Sequence, residues 1–100
     1  MKTKVALLLI LMLLPGLASA AKVHSGAPGC MSAELLDQLL HAILNNDQAT
    51  GETLLQNGCI ILNQDVDAKL LEARADKVHV TVSNDKGSLD MWVPIKYYAE

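Results

Sequence analysis

The chain has no phenylalanine, and its aromatic residues are Trp92, Tyr97 and Tyr98 alone. Single-stranded nucleic acid is held on ranks of ring faces, and three rings near one terminus do not make a rank. Basic residues are scarce as well, eight Lys and Arg against eleven Asp and Glu, so the charge repels phosphate backbones and anionic lipid. No nucleic-acid partner is expected. Gly-x-Ser-x-Gly, Cys-x-x-Cys and His-x-x-x-His spacings are all missing, as is a glycine-rich loop that could cradle a phosphate. Neither an activated nucleophile nor a metal ligand set is therefore written along the chain. Asp65, Asp67, Glu72, Asp76, Asp85 and Asp90 fall at turns or on polar strand faces, where solubility accounts for them better than paired acid and base chemistry. The expectation is a non-enzymatic protein without cofactor or metal.

A long hydrophobic run is also lacking. Lys2 and Lys4 precede an apolar segment from Val5 to Leu14, followed by Pro15-Gly16 and Ala18-Ser19-Ala20. A membrane span needs roughly twenty apolar residues, whereas a charged start, a short apolar stretch and small residues before a cut describe a secretory signal peptide. Residues 1–20 are read as a cleaved signal, with a cut after Ala21 as the alternative. Without them, six basic residues face eleven acidic ones. The mature chain is expected to be exported, periplasmic or secreted, with no membrane span left after cleavage.

Cys30 and Cys59 are the two cysteines. An even pair in an exported chain points to a disulfide, and a domain of about eighty residues has a core small enough to need one. Ala27-Pro28-Gly29-Cys30 lacks the upstream leucine of a lipid-attachment site. A cut after Ala21 would put His24 third from a free amine, a copper-binding arrangement; after Ala20 it is an ordinary exposed histidine, the expected reading.

Residues 21–29 are small and turn-forming and are expected to be a flexible leader. Ser32 then fits an N-cap, with Glu34 and Asp37 in the first turns and Met31 placed to staple onto Leu36. Leu35, Leu36, Leu39, Leu40, Ile43 and Leu44 form a broad apolar face, and Asn45-Asn46 ends the helix. Asp47 caps a shorter helix through Gln56, with Leu54 and Leu55 as its buried residues and Asn57-Gly58 as its stop. Residues 30–58 thus read as a helical hairpin.

From Cys59 the period becomes that of strands. Cys59 to Leu62 is a short apolar run, and Val66, Ala68 and Leu70 alternate with polar residues. Leu70 to Arg74 has helical propensity too, and strand is favoured. Val78, Val80 and Val82 alternate with Lys77, His79, Thr81 and Ser83, giving one wet face that carries His79. Asn84 to Gly87 signals a hairpin turn. Leu89, Met91 and Val93 follow, with Trp92 in the opposite phase, and Pro94 ends the strand before a final turn over Ile95 to Tyr98.

Residues 58–98, carried by Val66, Leu70, Leu71, Val78, Val80, Gly87, Trp92 and Val93, resemble a bacterial SH3-like small barrel. The resemblance implies a five-strand meander and an interaction role; the peptide-binding aromatics of eukaryotic SH3 domains have no counterparts, so it implies no ligand. The expected fold is α+β, an N-terminal helical hairpin packed on a small antiparallel sheet or SH3-like barrel, with residues 30–100 as one domain. The expected function is a binding or adaptor module of the bacterial cell envelope, its partner a protein or other envelope component. Trp92, Tyr97 and Tyr98 are the candidate contact surface, with Trp92 under the helices as the competing placement. The alternative is an inhibitor of an envelope enzyme that uses the Asn84 to Gly87 loop.

Overall fold

In the computed structural model the described residues are 21–100, and the signal-peptide expectation lies outside them. Two strands, β1 (Lys22–Val23) and β2 (Pro28–Cys30), come first. Helices α1 (Ala33–Leu44) and α2 (Gln48–Gln56) follow, then β3 (Cys59–Ile61), β4 (Val66–Ala73), β5 (Lys77–Asn84) and β6 (Gly87–Pro94). A 3-10 turn (Ile95–Tyr97) leads to β7 (Tyr98–Ala99). The architecture is α+β, with one antiparallel sheet in the order β3-β2-β6-β5-β4-β1-β7.

Two expectations are corrected here. The helical hairpin is not N-terminal, because the segment taken as a flexible leader supplies β1 and most of β2. Val23 pairs with Val66 on one side and Tyr98 on the other, and Cys30 pairs with both Cys59 and Trp92. Each of these partners is distant in sequence, and strands of two and three residues are too short to show a period. The sheet also remains open, with β3 and β7 as its two ends, so it is not a closed barrel.

Strand was the right reading for the ambiguous Leu70 to Arg74 region, since β4 runs through Ala73. It pairs with β5 across a register shift between Leu70 and Glu72, a bulge that bends the strand.

The sheet has a core on each face. Val23, Ala27, Val66, Ala68, Val78, Val80, Val82, Met91 and Val93 form the first. Gly29 crosses this core so closely that a Cβ would run into the Met91 sulfur. On the other face Leu36, Leu39 and Leu54 pack with Cys30, Cys59 and Trp92.

Both helices start as expected. Leu35 N–H donates to Ser32 Oγ (3.1 Å) and Thr50 N–H to Asp47 Oδ1 (3.2 Å), satisfying donors that a first turn leaves free. The hydrogen bonds from Thr50 hold the Asp47 carboxyl below its ordinary range. Gly58, at φ +121°, turns the chain from α2 into β3. The buried helical stripe is narrower than the leucine pattern suggested. Ile43 and Leu44 are 53% and 81% exposed, Leu55 is exposed instead of buried, and Met31 is too exposed to staple onto Leu36.

Candidate interaction surface

Cys30 and Cys59 are bonded, and their Cα atoms stand 4.0 Å apart as directly opposed residues of β2 and β3. Met31 N–H donates to Gly58 C=O and Leu62 N–H to Ala27 C=O. Hydrogen bonds in an antiparallel ladder skip alternate pairs, so Ile60 bonds with Gly29 while Cys59 and Ile61 face away from β2. Of the two, Ile61 is exposed at this outer side of the sheet, whereas Cys59 is buried. This edge carries no lysine, proline or bulge of the kind that blunts sheet edges.

Apolar side chains gather on both sides of it. Ile61 borders a groove of about 440 Å³ between β3 and the helices, lined also by Leu39, Ile43 and Leu55. Ile60 borders a second groove of about 260 Å³ toward β6, with Leu62, Val82, Leu89 and Met91. Met31, Leu55, Ile60, Ile61 and Leu89 are all more than a third exposed. Sequence reading missed this patch because Cys59 to Leu62 is apolar at every position, the pattern of a strand covered on both faces. That very lack of alternation at a terminal strand is the signal that could have found it.

Trp92, Tyr97 and Tyr98 are not brought onto one surface. Trp92 lies on the face opposite Met91 and Val93, as its phase required, but the helices cover that face and leave it 7% exposed. His79 stacks on it, with centroids 4.6 Å apart and an interplanar angle of 4°, and the Arg74 guanidinium stands 4.4 Å from the ring centroid. Tyr97 and Tyr98 are half-buried against the valine core instead. Burial, with Glu100 nearby, pushes the Tyr98 phenol up from its ordinary range.

The strand face expected to be wet is therefore partly covered. His79 is half-buried rather than solvated, and Lys77 is buried. Lys77 Nζ donates to Asp76 Oδ1 (2.8 Å) and meets Asp37 Oδ1 of α1 at 3.2 Å. These bonds, the one to Asp76 first, raise its pKa against the opposing effect of burial. The pair with Asp37 ties α1 to the sheet.

His24 is exposed, 3.8 Å from Asp65; Asp65 in turn accepts from Ser25 N–H, which lowers its pKa. His41 is exposed beside Asn45. Asn84 to Gly87 is an exposed tight turn held by Lys86 N–H donating to Asn84 Oδ1 (2.8 Å). Among the described residues no cluster of three His, Cys, Asp or Glu could hold a metal, and no helix is long and apolar enough to cross a membrane. The disulfide and this lack of a spanning helix are compatible with export.

No protein-family model matches the chain, and comparison with curated proteins and with solved structures likewise returns no match.

Proposed function

We propose that the chain is a small exported binding or adaptor module of the bacterial cell envelope, without catalytic activity of its own. The class of this reading comes from the SH3-like resemblance of residues 58–98. Its contact surface is the β3 edge rather than Trp92, because Trp92 is engaged by the helices, His79 and Arg74. The observation that carries it is the exposed apolar patch of Leu55, Ile60 and Ile61 beside two open grooves. Scattered apolar residues on a surface need no explanation, whereas a contiguous patch at an unpaired strand marks an interaction site.

Photo-crosslinking in the intact envelope tests this. A crosslinkable residue at Leu55 or Ile61 should give a discrete protein adduct, and one at Leu71, exposed on β4, should give none. Absence of adducts at all three positions, or equal yields at all three, would remove the surface assignment.

A further inference from the structure

We infer that the groove between α1, α2 and β3 receives an amphipathic helix of a protein partner, apolar toward Leu55 and Ile61 and bearing lysine or arginine toward Asp47 and Glu52. This rests on the binding-surface reading above and names the class of partner.

The walls of the groove fit a helix. Leu39, Ala42, Ile43 and Asn46 line it from α1, and Gln48, Gly51, Glu52 and Leu55 line it from α2. Each set follows i, i+3, i+4 and i+7, so each is one stripe along its helix. Residues 39–46 and 48–55 each span about two turns, roughly 10 Å. Amphipathic helices dock in apolar grooves through anchors at this same spacing. Ile43, Leu55 and Ile61 are exposed, which leaves apolar surface for such anchors to cover.

Nothing within the chain calls for Gly51. It lies inside α2, it is not among the glycines of positive φ, and a Cβ there would meet no atom within 4 Å. Alanine at this position would favour the helix. A glycine on a groove wall lets another backbone come close, and a helix seated against α2 would use that room.

Charge selects the partner. Asp47 and Glu52 are the charged residues of the groove, and among the described residues neither makes an ion pair. From Val23 to Ala68 the chain has no lysine or arginine, whereas Glu34, Asp37, Asp47, Glu52, Asp65 and Asp67 all fall in that stretch. Lys77 reaches the helical layer from β5, and there it meets Asp37. Asn46, Asp47 and Gln48 gather polar groups where the helices connect, while Leu39, Leu55 and Ile61 lie toward β3. The basic side of the occupant therefore faces the connection. Exposed ion pairs add little affinity, so apolar contact supplies the binding and the acids govern which partner is accepted. Nucleic acid, anionic lipid and a second acidic copy are all repelled.

The probe is a fluorescent helical peptide of about four turns, with leucines at i, i+3, i+4 and i+7 and lysines on its flanks. Fluorescence anisotropy follows its titration with the disulfide-bonded mature chain. A counterpart with glutamate in place of lysine should bind at least about tenfold more weakly. Gly51→Gln, which fills the room beside α2, and Glu52→Lys should each weaken the lysine peptide by at least about tenfold. Asp85→Lys makes the same change of charge on the turn between β5 and β6, outside the groove, and should leave binding unchanged. Circular dichroism matching the parent would certify that these variants fold.

No binding of the lysine peptide, equal binding of the glutamate peptide, indifference to Gly51→Gln, or equal losses from Glu52→Lys and Asp85→Lys overturns the inference. The binding-surface reading is separable: crosslinks from Leu55 and Ile61 to an envelope protein, alongside any of those results, would sink the helix docking and keep the surface.

Discussion

The two faces of the one sheet are closed by different means. On one face, valines from β1, β4, β5 and β6 cluster, helped by Ala27, Met91 and the two tyrosines. The strands there are tied together by an N-terminal segment that pairs with β4 and β7 at one end and with β3 and β6 at the other. On the other face the helices are a separate layer. The Lys77 to Asp37 ion pair and the Trp92 ring attach them to it, and the disulfide joins the two strands between which the helical segment runs. A face built from strands alone distributes its stability over many small side chains, whereas a face covered by helices concentrates it in a few attachments.

Single substitutions should expose that difference. Trp92→Ala is expected to have the largest effect, about 3–5 kcal/mol lost, because it is the largest side chain in the core between sheet and helices; urea unfolding followed by circular dichroism measures it. Replacing Cys30 and Cys59 together by alanine should cost roughly 3–4 kcal/mol in the chain-entropy account, read as a lower urea midpoint. A cost near zero would mean that the helices hold their place without the staple. Val80→Ala, in the valine core, is expected to cost roughly 1.5–3 kcal/mol. Should it exceed Trp92→Ala, the contrast between distributed and concentrated stability would be reversed.

The smallest effect is electrostatic. The Lys77 pKa is raised above 10.5 by Asp76 and Asp37, so the folded state holds this proton more tightly than the unfolded chain. Its contribution is complete below the unfolded value and fades as pH rises through the folded one. Asp37→Asn should therefore lower the thermal midpoint at neutral pH, and the gap from the parent should narrow above about pH 10.5. A gap that stays constant into alkali would show that Lys77 is not the partner that matters.

Much of this was legible along the chain. Ser32, Asp47, Asn45-Asn46 and Asn57-Gly58 marked the ends of both helices because caps and stops are settled by residues a few positions apart. The Val78 to Val82 alternation fixed β5 and the face it buries for the same local reason. The binding surface was not legible. Leu55 and Ile43 sit at helical positions that periodicity assigns to the core, yet the sheet beneath ends at β3 and, among the described residues, none covers them.

Trp92 shows the same division. Its phase, opposite Met91 and Val93, follows from the two-residue period of a strand. Whether that phase meant water or a core depended on where α1 and α2 came to rest.

By itself, then, the sequence determined the helix limits, the main strands, the acidic balance and a cysteine pair suited to a disulfide, all products of composition or of neighbours within a few residues. Only the tertiary structure decided that residues 22–30 join the sheet, that Trp92 and Lys77 are buried, and that β3 is left at an edge. Each of those outcomes depends on pairing between segments far apart in the chain, and a local pattern carries no record of which strand will lack a neighbour.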